Sequence, residues 1–254
     1  MTTRRVSCGL MAIMSMLIFL PQASAASPTM ALDGVAKFGC SCDGIASASV
    51  MLTTTHSNDV IVVIAQCGFA GWCDDNISSI VDGGGHVWTL RLNYRPYPNG
   101  RPVWEYYTVA DTPLSLDVIT VTWSGAEAVW FVVFGVEGAN VRHPWDSSQS
   151  LPAARVPSCI SNNSAANYTV CTGTFSVVGA QDFVLMTTPI NDDQACQFTS
   201  PFQNLNAFDG AGETDFLITR IGGSNSVAFT CNNTDPVFFL ADAIHGPGSQ
   251  VLQT

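Results

Sequence analysis

Residues 57–76 read SNDVIVVIAQCGFAGWCDDN, and residues 181–198 read QDFVLMTTPINDDQACQF. Each is an aspartate-led apolar run of strand length that exits into a loop carrying two adjacent aspartates and at least one cysteine. A short, nearly unbroken apolar run bounded by turn residues reads as a strand. Two such runs in one chain, with Asp59 corresponding to Asp182, point to a scaffold built twice.

Working outward from each run, period-2 alternation bounded by turn residues continues in both directions, without a convincing amphipathic helix. The first series has expected strands at 47–55, 59–66, 78–85, 86–94, 101–109, 117–125 and 128–139. The second has them at 172–179, 182–189, 202–208, 214–223, 226–231 and 237–246. The hairpin around RPYPNG has the clearest register: pairing Leu92 with Trp104 and Leu90 with Tyr106 also sets Arg91 opposite Glu105. The expected fold class is all-β, a jelly-roll-like antiparallel β-sandwich made of two similar strand series, neither able to cover its own faces alone. Residues 45–140 form the first repeat, 141–171 a proline-containing crossover and 172–254 the second, with 45–254 read as one sandwich. Two small Ig-like sandwiches joined at the crossover are the alternative.

Ahead of the repeats, MTTRRVSCGLMAIMSMLIFLPQASA has a basic start, a short apolar stretch and an Ala23-Ser24-Ala25 end, the layout of a signal peptide spanning 1–25. Its apolar stretch is short against the roughly 20 residues a bilayer needs, so the mature chain is expected to have no membrane span. Residues 26–44 read as an N-terminal arm. Loss of Arg4 and Arg5 leaves seven basic against 20 acidic residues, a net charge of −13, with Lys37 the only lysine. Nucleic acid is a poor partner for that balance, because phosphate contacts need clustered cations.

Loss of Cys8 leaves eight cysteines: Cys40, Cys42, Cys67, Cys73, Cys159, Cys171, Cys196 and Cys231. In an exported chain they are expected to form disulfides, with 105 possible pairings. Spacing favours Cys67 with Cys73, Cys159 with Cys171, and Cys196 with Cys231. That leaves Cys40 and Cys42, whose bridge across one residue would be strained.

The aspartate-led strand, the Trp88-Thr89-Leu90 strand, and VFGVEGAN with PWD over residues 133–146 loosely resemble exported two-repeat β-sandwich modules. Such modules occur in surface, adhesive and filament-forming proteins of prokaryotes and their viruses. The resemblance spans roughly residues 45–246, implies an assembly or adhesion role, and assigns no functional residue.

The chemistry on offer is sparse. Asp74, Asp75, Asp192 and Asp193 supply hard oxygens at the two strand exits, so Ca2+ is the one cofactor expected if any is; Asx turns explain the same residues without a metal. FDGAGETD, residues 208–215, reads as another acidic turn. Asn76, Asn162, Asn167 and Asn232 begin N-glycosylation sequons. No G-x-S-x-G is present, the histidines at 56, 86, 143 and 245 are scattered, and no catalytic residue is assigned. A glycoside hydrolase is the least remote enzyme class, with Glu105 among aromatics but lacking a partner carboxylate. Trp72, Tyr97 and Trp145 fall in expected loops and could stack on a sugar.

The expectation is therefore a secreted or cell-surface, non-enzymatic structural or adhesion protein, a surface or filament subunit that self-associates through strand edges or its N-terminal arm. A lectin-like protein that binds surface glycans, with or without calcium, is the alternative.

Overall fold

The computed structural model describes residues 29–67, 76–95, 102–155, 158–161, 169–179, 181–188, 196–208, 212–231 and 238–247. Among these residues all regular structure is antiparallel strand. In chain order the strands are β1 (Ala31–Leu52), β2 (Asp59–Cys67), β3 (Ile77–Val81), β4 (Thr89–Tyr94), β5 (Val103–Ala110), β6 (Asp117–Glu137), β7 (Ala153–Arg155) and β8 (Ser158–Ser161). They continue with β9 (Thr169–Val177), β10 (Asp182–Thr188), β11 (Cys196–Phe198), β12 (Gln203–Phe208), β13 (Gly212–Ile218), β14 (Gly223–Cys231) and β15 (Phe239–His245). The first sheet runs β1-β6-β2-β5-β4, with β3 also on β6; the second runs β12-β13-β10-β15-β7; the third runs β11-β14-β9-β8.

The sheets stack as β-sandwiches around three apolar layers. Ile61 and Val63 of β2, with Phe131 and Val133 of β6, pack on Val50, Leu52, Ile119, Val121 and Trp123. The opposite faces of the same two strands, Val60, Val62, Val132 and Phe134, meet Phe183, Leu185, Leu240 and Ile244 of the second sheet. The far side of that sheet, through Val184, Met186, Phe239 and Ala241, covers Phe175, Val227 and Phe229 of the third. Strands β2, β10 and β15 thus have apolar neighbours above and below, which is why VIVVIA and FVLM carry no alternation.

The antiparallel all-β sandwich class expected from the sequence is what the chain forms, but each series also closes a core of its own. The difference comes from β1. Residues 31–44, expected as part of an arm, join the strand expected at 47–55 in one strand, which pairs with β6 from Ala31 against Glu137 to Leu52 against Asp117. The two expected strands at 117–125 and 128–139 are one strand, β6, held continuous by β1 across register shifts between Cys40 and Ser47. β3 flanks the first half of β6 and β2 the second, so the ribbon folds a cover over its own core.

The duplication is visible in the pairing. Val60 lies between Val109 of β5 and Val136 of β6, and Phe183 lies between Ile218 of β13 and Ile244 of β15. Asp59 and Asp182 immediately precede these residues, so they head equivalent central strands.

The hairpin of β4 and β5 departs from its expected register. Leu90 does pair with Tyr106, but a bulge follows, and Leu92 opposes Glu105 while Asn93 opposes Trp104. Arg91 sits in the bulge and points to a different partner. A bulge turns the local side chains relative to the ladder, so alternation counted through it is off by one.

Candidate functional site

Four groups of buried carboxyl side chains are the chemically unusual feature of this fold. Two head the equivalent central strands. A register shift separates Leu32 from Val35, and Gly34 there has φ +84° with the Thr53 carbonyl where a Cβ would stand. This bulge aims Asp33 at the turn before β2, where its carboxylate accepts the N–H groups of Thr55 and His56 at 2.8–3.0 Å and the Thr55 hydroxyl at 3.0 Å. His56 Nδ1 reaches both Asp33 Oδ2, at 3.0 Å, and Glu137 Oε2, at 2.7 Å. Asp59 is fully buried, and neither of its carboxyl oxygens meets an N–H or O–H donor.

Asp146 plays the part of Asp33 in the second half. It follows Trp145, which bridges Ile244 as Leu32 pairs with Val136. Its Oδ2 accepts Val178 N–H at 2.7 Å and Gly179 N–H at 3.0 Å in the turn before β10, and its Oδ1 accepts Ser148 N–H at 2.6 Å. Asp182, fully buried, lies 3.1 Å from His245 Nδ1 through Oδ1, while its Oδ2 has no donor.

The electrostatics of the two heads agree. Burial opposes the charge on Asp33, but the Thr55 and His56 donors outweigh it and hold this carboxyl below the usual range. For Asp59 burial first and the neighbouring Asp33 next, with a smaller push from Glu137 and against the pull of His56, raise it to about 7. Asp182 is likewise raised, by burial first and by Asp146, with the His245 contact pulling the other way. His56 is raised, chiefly by its bond to Asp33. Two carboxylates in contact have only acceptors, so such a pair needs a proton between them or a cation. The donor atoms of Asp146, Asp182 and His245 lie within 4.8 Å of one another. Three N–H groups already bind Asp146 and His245 touches Asp182, which leaves few oxygens for Ca2+, a cation that takes six to eight. A shared proton fits better.

The third group lies between the first and second sheets. Arg91 donates from Nε to Asp242 Oδ2 at 2.7 Å and from Nη2 to Asp242 Oδ1 at 2.9 Å, and its guanidinium stacks 4.7 Å from the Trp145 ring centre. Glu105, expected opposite Arg91 across the hairpin, is instead buried in the layer beside this pair, with Oε1 unpartnered. The fourth group corrects the acidic turn expected at 208–215: Glu213 and Asp215 lie on β13, both 2% exposed. Asn204 Nδ2 donates to Glu213 Oε1 at 2.7 Å and to Asp215 Oδ1 at 2.8 Å. Burial first, then the neighbouring Asp215, pushes Glu213 up to about 8, and burial pushes Asp215 up to about 6.

Nearer the surface, Asp82 accepts His86 N–H at 3.1 Å and Trp88 Nε1–H at 2.6 Å, and lies 3.0 Å from His86 Nδ1. Asp117 accepts Gly83 N–H at 2.8 Å. These contacts close the DGGGH turn and lower the Asp82 carboxyl against the effect of its burial.

The residues singled out from the sequence are mostly elsewhere. Asp74, Asp75, Asp192, Asp193, Trp72, Tyr97, Cys73, Asn162, Asn167 and Asn232 lie outside the described residues, as do the side chains of Cys42, Cys67 and Cys159. Asn76 is exposed, with its N–H on Ser124 Oγ at 3.0 Å. Trp145 is half-buried between Arg91 and Tyr107, whose ring centre is 5.2 Å away, rather than standing free at a loop tip. Cys196 and Cys231 form a disulfide between paired positions of β11 and β14. Cys40 and Cys171 are also disulfide-bonded, and Cys171 pairs in register with Cys159. Sequence reasoning passed over Asp33, Asp146 and Asp242. The available signal was an aspartate inside or beside an apolar strand, at PWD and LADA.

In comparisons with known proteins, the chain matches no family model, no curated protein and no solved structure.

Proposed function

We propose that this chain is a non-enzymatic structural or adhesion module of an exported surface assembly, in which copies join along the outer edge of β1. The observation that carries the reading is the edge itself. β1 runs for 22 residues, and no described strand pairs on the side away from β6. An open strand edge presents unpaired N–H and C=O groups that template another strand, and soluble proteins usually guard it with charge or proline. Residues 44–53, GIASASVMLT, carry neither.

The surface beside the edge supports the same partner. Cross-strand rows of Ser47, Thr122 and Ser79, of Ser49, Thr120 and Val81, and of Met51 with Val118 make an uncharged outer face. The hydroxyls tie the strands at 3.3 Å for Ser47 with Thr122 and 2.8 Å for Ser49 with Thr120. On a chain of net charge −11, an uncharged strip is where two copies approach with least repulsion. A second copy is therefore the partner of choice, by addition of strand to strand.

Light scattering and electron microscopy on the secreted protein test this, with Ser47→Lys and Ser49→Lys as edge-guarding variants. Wild type is expected to form concentration-dependent oligomers or filaments, and the double variant to stay monomeric with an unchanged circular dichroism spectrum. A wild-type protein that remains monomeric at high concentration and high salt would overturn the reading.

A further inference from the structure

We propose that the seam between the first and second sheets is latched by a proton, with Glu105 held there as a neutral carboxylic acid that releases its proton as the seam loosens. This inference uses residues distant from the β1 edge and stands apart from the assembly reading.

Glu105, Asp242 and Arg91 come from β5, β15 and β4 and meet in one buried layer. Arg91 Nε and Nη2 are both engaged by Asp242, and Asp242 Oδ1 also accepts the Ala243 N–H at 2.8 Å. Burial raises the Asp242 carboxyl too, but its bonds to Arg91 and the Ala243 N–H pull the other way and give it the better claim to the charge, and one cation cannot balance a second carboxylate. Glu105 is 4% exposed and its Oε1 meets no donor among the described residues. Burying an unpaired charge costs far more than keeping a proton, so the neutral acid is the stable form.

The described surroundings are largely apolar. Glu105 and Asp242 border a cavity of about 10 Å³, space for about one water, walled by Ile64, Val103, Leu185 and Leu240. From β2 the facing residue is Ile64, and from β10 they are Leu185 and Thr187, none of them titratable. The charged or titratable neighbours are Arg91 on β4, Asp242 on β15 and, through Arg91, Tyr107 on β5; Asp146 acts on Asp242 from farther away. Burial first and Asp242 second push the Glu105 carboxyl well above its usual range, against the pull of Arg91.

The direction of the effect follows. A carboxyl raised in the folded state adds no penalty at acid pH, where folded and unfolded chains are both protonated. Its contribution is lost as pH climbs from the usual 4.5 through the raised folded value. At that point two carboxylates share one guanidinium in a dry layer, and separation of β5 from β15 relieves them by admitting water.

The chain has four glutamates, Glu105, Glu127, Glu137 and Glu213, so the mature protein labelled with carboxyl-¹³C glutamate gives four resonances to follow. Single Glu→Gln variants assign them. The Glu105 resonance is expected to stay at its protonated position well above pH 4.5. When it moves, amide hydrogen exchange in β5 and β15, corrected for intrinsic pH dependence, is expected to rise about tenfold. Glu105→Gln removes that rise and Glu213→Gln retains it. Titration of Glu105 between pH 4 and 5, or exchange that is unchanged through its titration, would overturn the proposal. Both readouts come from the wild-type chain, so a Glu105→Gln variant that failed to fold would leave the test intact.

Discussion

Replacing Glu213 with glutamine should make the protein more stable at pH 8 and leave it nearly unchanged at pH 4. Glu213 and Asp215 sit two residues apart on β13 and share Asn204 as their donor. With their carboxyls raised to about 8 and about 6 respectively, the pair titrates in two coupled steps. Folded-state values above the unfolded ones mean that stability is full at and below about pH 4.5 and falls as pH rises toward 8. Going from 4.5 to about 8, at about 1.4 kcal/mol per pH unit, sets a ceiling of about 5 kcal/mol for Glu213. Coupling to Asp215 shares part of that ceiling, so an effect of roughly 2–4 kcal/mol is expected. Glutamine keeps an oxygen for Asn204 and offers its own N–H to Asp215, without any proton to lose. Urea unfolding followed by tryptophan fluorescence at half-unit steps from pH 4 to 8.5 measures both proteins. The wild-type curve should slope downward and the variant's should be flatter by that amount. Parallel curves, or a wild-type stability that does not fall above pH 5, would refute the buried proton-sharing pair.

Two further outcomes are open to the same assay. Arg91→Ala at pH 6 should cost about 3–5 kcal/mol, because it strands Asp242 as an uncompensated buried charge, and Arg91→Lys should recover little of it, because the bidentate geometry needs the planar fork; a loss below about 1 kcal/mol would mean that the pair is not buried in solution. The double substitution of Cys196 and Cys231 by serine opens a link between residues 35 apart and should cost about 3–4 kcal/mol; unchanged stability of the oxidised and reduced wild-type protein would contradict that linkage.

Much of the scaffold was legible because burial writes itself into side-chain periodicity. VIVVIA and FVLM announce strands covered on both faces, and DVITVTW alternates because one face of that part of β6 is outside. Where a bulge interrupts the ladder, the same signal fails. Gly34 and the shifts after Cys40 break the alternation of β1, so its first half read as an arm while only the part from Ser47 read as a strand. The bulge at Arg91 had the same effect on one residue, sending it to Asp242, 151 positions away, instead of to Glu105. The Glu213 and Asp215 pair was within reach, since residues two apart on a strand share a face. A turn-like GAG before them directed the reading elsewhere.

Local propensity and pattern were enough to specify the antiparallel strands and the two aspartate-led central runs, because each depends on neighbours along the chain; spacing favoured Cys196 with Cys231, and the pairing of β11 with β14 is what joins them. Which carboxyls would meet depended on the stacking of sheets. Asp33 reaches Asp59, Asp146 reaches Asp182, and Glu105 comes to lie beside Asp242 only when the layers close. Proton affinity in a buried layer is set by distance through space and by lost water, and neither is a property of position along the chain.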